Sequence, residues 1–392
     1  MSGILTFQLT VTDNSDLTSS DTVNIVVDVP PVAAAGPDQT VLKGTAVNLS
    51  GSGSSDTDGA IAAYTWVQTA GTPVVLTGAN TANPGFTAPD ISGTITLQLT
   101  VRDDLGATKS DDVNIIVNAS PVVNAGPEQT VLTDSQVILN GTGSSDPDGS
   151  IAAYAWVQTA GTTVTLAGAD TATPNFTAPN ASGSLTFALT VTDNHGARAT
   201  ASVILLVNRA PSANAGTDQM VLANSPVTLS GTASSDIDGA ISAYAWTQTA
   251  GTAITLAGAD MAIPNFTAPN VSGILTFQLT VTDNQGATSS DLVNVTVNLP
   301  PIANAGPDQL AKVKSSVSLS SAASSDPDGT ISSYTWTQTA GSPVTLSGQN
   351  TPLATFVAPG IEGALTFQLT VADNRNALAS DQVVITVTKT GR

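Results

Sequence analysis

Hydrophobic and polar residues alternate along this chain. Leu5, Phe7, Leu9 and Val11 take turns with Thr6, Gln8, Thr10 and Thr12, and Val23, Ile25, Val27 and Val29 share one face of the stretch that follows. A period of two sends successive side chains to opposite faces of a strand. Val47 and Leu49 predict a shorter strand, Tyr64 and Trp66 another, and Val75 is placed in a further one. Ser-Gly, Asp-Gly and Ala-Gly pairs separate these runs, as turns require. No stretch carries the 3.6-residue period of a helix, so the pattern predicts an all-β protein.

The pattern recurs every 90 residues. Pro31, Pro121, Pro211 and Pro301 keep that step, and so do Trp66, Trp156, Trp246 and Trp336, which are all the tryptophans present. This predicts four full repeats, at residues 31–120, 121–210, 211–300 and 301–392. Residues 1–14 equal residues 271–284 except at the first position, so residues 1–30 read as the last third of a truncated repeat and the whole as a fragment of a longer tandem array. About seven short strands per repeat, with a tryptophan on the third, predict an immunoglobulin-like β-sandwich in which that tryptophan is a core side chain. Proline pairs such as Pro30-Pro31 and Pro300-Pro301 leave almost no linker and restrict the backbone. The expected arrangement is therefore an elongated rod, roughly 35–40 Å per repeat and roughly 150 Å or more in all.

Composition narrows the function. The formal net charge is −20, and Lys plus Arg number only 10, so the basic footprint that a phosphate backbone needs is missing. Nucleic acid and anionic membrane surfaces are excluded as partners on that ground. No apolar run reaches the ~18–20 residues of a membrane span, and no basic leader precedes the first strand. There is no cysteine, so no disulfide staples the repeats, and each is large enough to fold on its own core. All acidic residues but Glu128 and Glu362 are aspartates, a bias towards turns and loops.

The aspartates sit in a recurring constellation. Each repeat contains Ser-Ser-Asp-x-Asp-Gly, giving Asp56 and Asp58, Asp146 and Asp148, Asp236 and Asp238, and Asp326 and Asp328. A further aspartate ends the sixth strand of the pattern at Asp103, Asp193, Asp283 and Asp373, with Asp13 as its counterpart in the truncated unit. A third position, just before each junction, holds Asp28, Asn118, Asn208 and Asn298. Sandwich topology brings these loops to the end where the preceding domain enters. Clustered carboxylates repel unless neutralised, and hard oxygen ligands in a flexible loop suit Ca²⁺ better than Mg²⁺. The expectation is about one structural Ca²⁺ per repeat, the glycine allowing the tight turn around it. The alternative is a metal-free Asx turn, which Asp and Gly also build.

Catalysis is not expected. The one histidine, His195, has no counterpart in other repeats and reads as a solvated loop residue, and the two glutamates hold unrelated repeat positions.

Five segments, Ala-Gly-Pro-Asp-Gln-Thr-Val (35–41), Ser-Ser-Asp-Thr-Asp-Gly (54–59), Tyr-Thr-Trp-Val-Gln-Thr-Ala-Gly (64–71), Phe-Thr-Ala-Pro (86–89) and Leu-Gln-Leu-Thr-Val-Arg-Asp-Asp (97–104), together resemble the PKD (polycystic kidney disease) domain over essentially the whole chain. The resemblance looks closest to repeats of large bacterial and archaeal surface proteins. It implies an extracellular or cell-surface location and stalk, adhesin or spacer roles. For PKD domains of secreted hydrolases it implies calcium ligands at Asn118, Asp146, Asp148 and Asp193 and their equivalents. Carbohydrate binding is not carried over, because Trp-x-Gln-Thr-x-Gly stands where those domains have an aromatic, Asp-containing loop. The functional expectation is a calcium-stiffened structural and adhesive stalk whose partners are neighbouring copies of the repeat or chain, surface proteins or glycans. The alternatives are a subunit of an extracellular filament, completed by strand exchange, and an accessory array of a secreted hydrolase.

Overall fold

The computed structural model describes residues 2–389, and they contain strands but no helix. None of them forms a helix long and apolar enough to cross a membrane. The chain divides between Val207 and Asn208 into two compact units. The first holds a hairpin and two sandwiches, the second two sandwiches.

The hairpin joins β1 (Gly3–Thr12) to β2 (Thr18–Val27), antiparallel, with Gly3 opposite Val27 and Thr12 opposite Thr18. Each full repeat has six strands. In the first they are β3 (Gln39–Leu42), β4 (Ala46–Asn48), β5 (Ile61–Ala70), β6 (Gly85–Thr87), β7 (Gly93–Asp103) and β8 (Thr108–Asn118). One sheet runs β3-β8-β7-β5, with β3 parallel to β8 and the other pairs antiparallel; β4 and β6 form the facing sheet. The later repeats copy this order at 90-residue steps, and in the fourth the facing pair lengthens to Ser316–Ser320 and Leu353–Val357. The strand that ends at Asp103 is thus fifth in its repeat, not sixth.

The core follows from the alternation. Ile95, Leu97, Leu99 and Val101 of β7 and Val113, Ile115 and Val117 of β8 point inward onto Trp66, Val47, Leu49 and Phe86. Each such side chain contributes roughly 1.5–3 kcal/mol when fully buried. Trp66, Trp156, Trp246 and Trp336 are 2–5% exposed, and their indole Nε1 atoms have no acceptor, so these rings act as apolar filler.

Val75 departs from its predicted place. It lies in an irregular segment and is 87% exposed, while Val74 and Leu76 pack on the core. Gln68 holds this segment: its Nε2 donates to the carbonyls of Ala70 and Thr72, and its Oε1 accepts the Val74 N–H at 2.9 Å. Gln158, Gln248 and Gln338 do the same in their repeats. The Gln of the Trp-x-Gln-Thr-x-Gly motif is therefore a loop staple. A signal for the outward position was present in the chain, since Val75 is replaced by Thr165, Thr255 and Thr345 in the other repeats.

The same alternation has a different outcome in the hairpin. Leu5, Phe7, Leu9, Val11, Val23 and Ile25 are 50–69% exposed, whereas Leu275, Phe277, Leu279 and Val281 of the third repeat are 0–2% exposed.

Candidate functional site

The predicted acidic residues converge at the entrance of each repeat, but with divided tasks. The aspartate ending the fifth strand folds the turn that follows it. Asp103 Oδ1 accepts N–H groups from Leu105, Gly106 and Ala107 at 2.6–3.0 Å. Asp193, Asp283 and Asp373 accept from the residues two and four positions on, at 2.7–2.9 Å. Asp13 makes the same turn in the hairpin, accepting the N–H groups of Ser15 and Leu17 at 2.7 and 3.0 Å. Such a carboxylate is in part a turn-former, the task an Asx turn gives it.

The second oxygen reaches the junction. Asn118 Nδ2 donates to Asp193 Oδ2 at 2.8 Å, Asn208 to Asp283 at 2.8 Å, and Asn298 to Asp373 at 2.7 Å. These are buried bonds between residues 75 positions apart. Burial would raise the carboxyl pKa of Asp193, but the Asn118 amide and the N–H groups of Ala197, His195 and Gly196 outweigh it and hold it below the ordinary value. Asp283 and Asp373 are lowered in the same way, by Asn208 and Asn298 with their turn N–H groups. Asp28 cannot make this bond, having no N–H to give, and Asp103 Oδ2 is buried without a partner.

The second aspartate of Asp-x-Asp-Gly clamps the backbone just past the junction. Asp58 accepts the Val29 N–H, Asp148 that of Ala119, Asp238 that of Arg209 and Asp328 that of Leu299, at 2.9–3.3 Å. The first aspartate turns its own loop in three repeats, where Asp56, Asp236 and Asp326 accept the N–H two residues on at 3.3–3.4 Å. Gly59 does not serve the turn through a left-handed backbone, contrary to expectation, and neither do Gly149, Gly239 and Gly329. A Cβ there would strike the first aspartate and the Asp104 or Asn194, Asn284 or Asn374 side chain. Close approach is what requires glycine.

Those last four residues were not anticipated. Asp104, Asn194, Asn284 and Asn374 accept the N–H of Ala60, Ser150, Ala240 and Thr330 at 2.9–3.2 Å, tying the two loops together. Their recurrence at 90 residues, beside the aspartate that was singled out, is the signal that could have found them.

What is left over is oxygen. Buried without a partner are Asp28 Oδ1 and Asp103 Oδ2 in the first repeat, and Asn118 Oδ1 and both carboxylate oxygens of Asp146 in the second. The third repeat leaves Asn208 Oδ1, Asp236 Oδ2, Asp238 Oδ1 and Gln285 Oε1, and the fourth leaves Asp326 Oδ2. Burial and then the charges of Asp103, Asp58, Asp56 and Asp104 push the Asp28 pKa up. Asp146 and Asp236 are also pushed up, by burial above all and by the paired and turn aspartates. Among the described residues no three His, Asp or Glu side chains are gathered so as to hold a metal by themselves. A cation in the second or third repeat would need the Asn amide oxygen as well, and one in the first repeat the Asp28 carboxylate in its place. An Asn118 that is 1% exposed and an Asn208 that is 1% exposed, each with an unpaired carbonyl oxygen, fit that requirement. The donor set is all oxygen, which suits a hard cation. His195 is exposed, with Nδ1 3.3 Å from the Asn194 amide nitrogen.

Comparison with known proteins agrees with the repeat and the sandwich. Human dyslexia-associated protein KIAA0319 is 33% identical over 416 residues, a match to 98% of this chain and 38% of the relative. The mouse KIAA0319-like protein is 32% identical, covering 98% of this chain and 39% of its own. This chain thus spans less than two fifths of those relatives. A solution structure of the PKD domain from KIAA 1837 protein is 35% identical over 23% of this chain and 89% of that one, with a TM-score of 0.21. The expected closeness to bacterial and archaeal surface proteins is not supported, because these relatives are mammalian. The family described as K319L-like, PKD domain matches residues 35–117, 125–207, 215–297 and 305–387, and the chain belongs to it.

Proposed function

We propose that this chain is a non-catalytic, extracellular structural and adhesive array whose junctions are stiffened by calcium. The observation that carries this is the oxygen-lined junction. Asn118 and Asn208 each end one repeat and are bonded into the turn of the next, and their own amide oxygens are buried without partners. In the second repeat Asn118 Oδ1, Asp146 and Asp148 would hold the ion, with Asp193 fixing the Asn118 amide from behind. Asp28 with Asp56, Asp58 and Asp103, and Asn208 with Asp236, Asp238 and Asp283, would act alike. A bound Ca²⁺ would supply positive charge to carboxylates that otherwise repel, and so lock the loop to the junction. Small-angle X-ray scattering of the chain with calcium and then with chelator tests this. A maximum dimension that shortens on chelation is expected. A profile unchanged by chelator would leave the aspartates as turn-formers and the rigidity to the prolines.

The hairpin favours a second reading, completion by strands from another polypeptide. Its inward-type face is apolar and exposed, and its open edges can accept strands. Under this reading sedimentation shows assemblies that grow with concentration and that Leu9→Asp disperses. A monomer at all concentrations would sink it.

A further inference from the structure

The position two residues beyond the turn aspartate differs in every repeat: Leu105, His195, Gln285 and Arg375. In the fourth repeat the side chain at that position enters the junction. Arg375 Nη1 donates to Asp328 Oδ2 at 2.6 Å and to Asn298 Oδ1 at 3.1 Å, and lies 3.5 Å from the Asp328 backbone carbonyl. The Asp328 side chain is 9% exposed and the Arg375 side chain 30%, so the carboxylate is buried while the arginine keeps contact with water, and the pair is the one salt bridge among the described residues. The amide oxygen it satisfies is the counterpart of Asn118 Oδ1 and Asn208 Oδ1, which are buried and unpaired. The carboxylate it neutralises is the counterpart of Asp238, whose Oδ1 is also unpaired. In the third repeat Gln285, at the same sequence position, carries a buried Oε1 without a partner.

We propose that Arg375 is a tethered cation, its guanidinium filling in the fourth repeat the place a divalent ion fills in the preceding three, so that this junction is locked without metal. The inference rests on the calcium reading for the contrast it draws, though not for the Arg375 contacts themselves. A guanidinium is always charged and carries several donors in a fixed fork. It can therefore satisfy an amide oxygen and a carboxylate together, as a metal would, and it occupies the Asn298 and Asp328 oxygens that a second cation would need. Leucine offers nothing of this kind, and glutamine offers an oxygen. The residue at this one position thus decides whether a junction needs calcium.

The test uses the full chain, with calcium counted by equilibrium dialysis and unfolding followed by calorimetry in calcium-free buffer. Arg375→Gln installs the third repeat's residue. It is expected to bind about one more Ca²⁺ per chain than the parent, and, without calcium, to unfold its fourth repeat about 4–8 °C lower. The reciprocal Gln285→Arg is expected to bind about one fewer. A merely structural arginine would alter the melting temperature and leave both counts unchanged. Unchanged counts in two variants of a parent that does bind calcium would overturn the proposal. Should neither the parent nor Arg375→Gln bind calcium, the calcium reading fails and the tethered cation is overturned with it, since no ion exists for the guanidinium to replace.

Discussion

At the scale of single residues, one atom changes the character of a junction. Asn118, Asn208 and Asn298 give an N–H to the next turn aspartate, while Asp28 presents a carboxylate to the same neighbour. The Asp28 pKa is raised by burial and by Asp103, Asp58, Asp56 and Asp104 in turn. Replacing Asp28 with Asn removes that repulsion and supplies a donor for the unpaired Asp103 Oδ2. We expect Asp28→Asn to raise the melting temperature of the first repeat in calcium-free buffer, as read by calorimetry. A fall would mean that Asp28 is held by a contact other than those described. The recurrence of these positions could be read from the chain. Their pairing could not, because it joins residues 75 apart across a repeat boundary.

At the scale of elements, identical strands meet different surroundings. Leu9 of β1 and Leu279 of the third repeat belong to the same run of sequence, yet one is 69% exposed and the other 0%. Leu279→Ala should cost about 2–5 kcal/mol in denaturant unfolding, through lost transfer energy and the cavity it leaves. Leu9→Ala should fall within about 0.5 kcal/mol, as at other surface sites. A Leu9 cost near that of Leu279 would reveal a cover over the hairpin face. The period of two located β1 and the second half of β2, because alternation is a local property, though β2 begins at Thr18 and ends at Val27 instead of running to Val29. It misplaced Val75, since a stapled loop also alternates when one side rests on a core.

At the scale of the whole molecule, the acidic clusters link stability to pH. Asp28, Asp146 and Asp236 have raised pKa values. The folded chain therefore binds their protons at a higher pH than the unfolded chain does, and calcium-free stability rises as pH falls from neutral through those values. Asp193, Asp283 and Asp373 have lowered values. The stability they contribute is present above the unfolded carboxyl value of about 3.9 and is lost as pH falls through their folded values. Calcium-free melting temperature should thus peak on the acid side of neutrality, before it collapses. Asp146→Asn should reduce the acid-side rise, and calcium should stabilise most at neutral pH and progressively less below. A calcium-free curve that is highest at neutral pH would show that the clusters are not repulsive.

The sequence by itself determined the repeat length, the all-β class, the inward residues of the long strands and the set of aspartates at each entrance. These follow from spacing and alternation, which act between neighbours in the chain. Only the tertiary structure decided which oxygens are used in turns and which are left over. It also showed that Gly59 makes room for carboxylates instead of reversing the backbone, and that Arg375 bonds Asn298 and Asp328. Each of these depends on atoms brought together from distant loops, and a side chain's reach and its competitors are set there and nowhere along the chain.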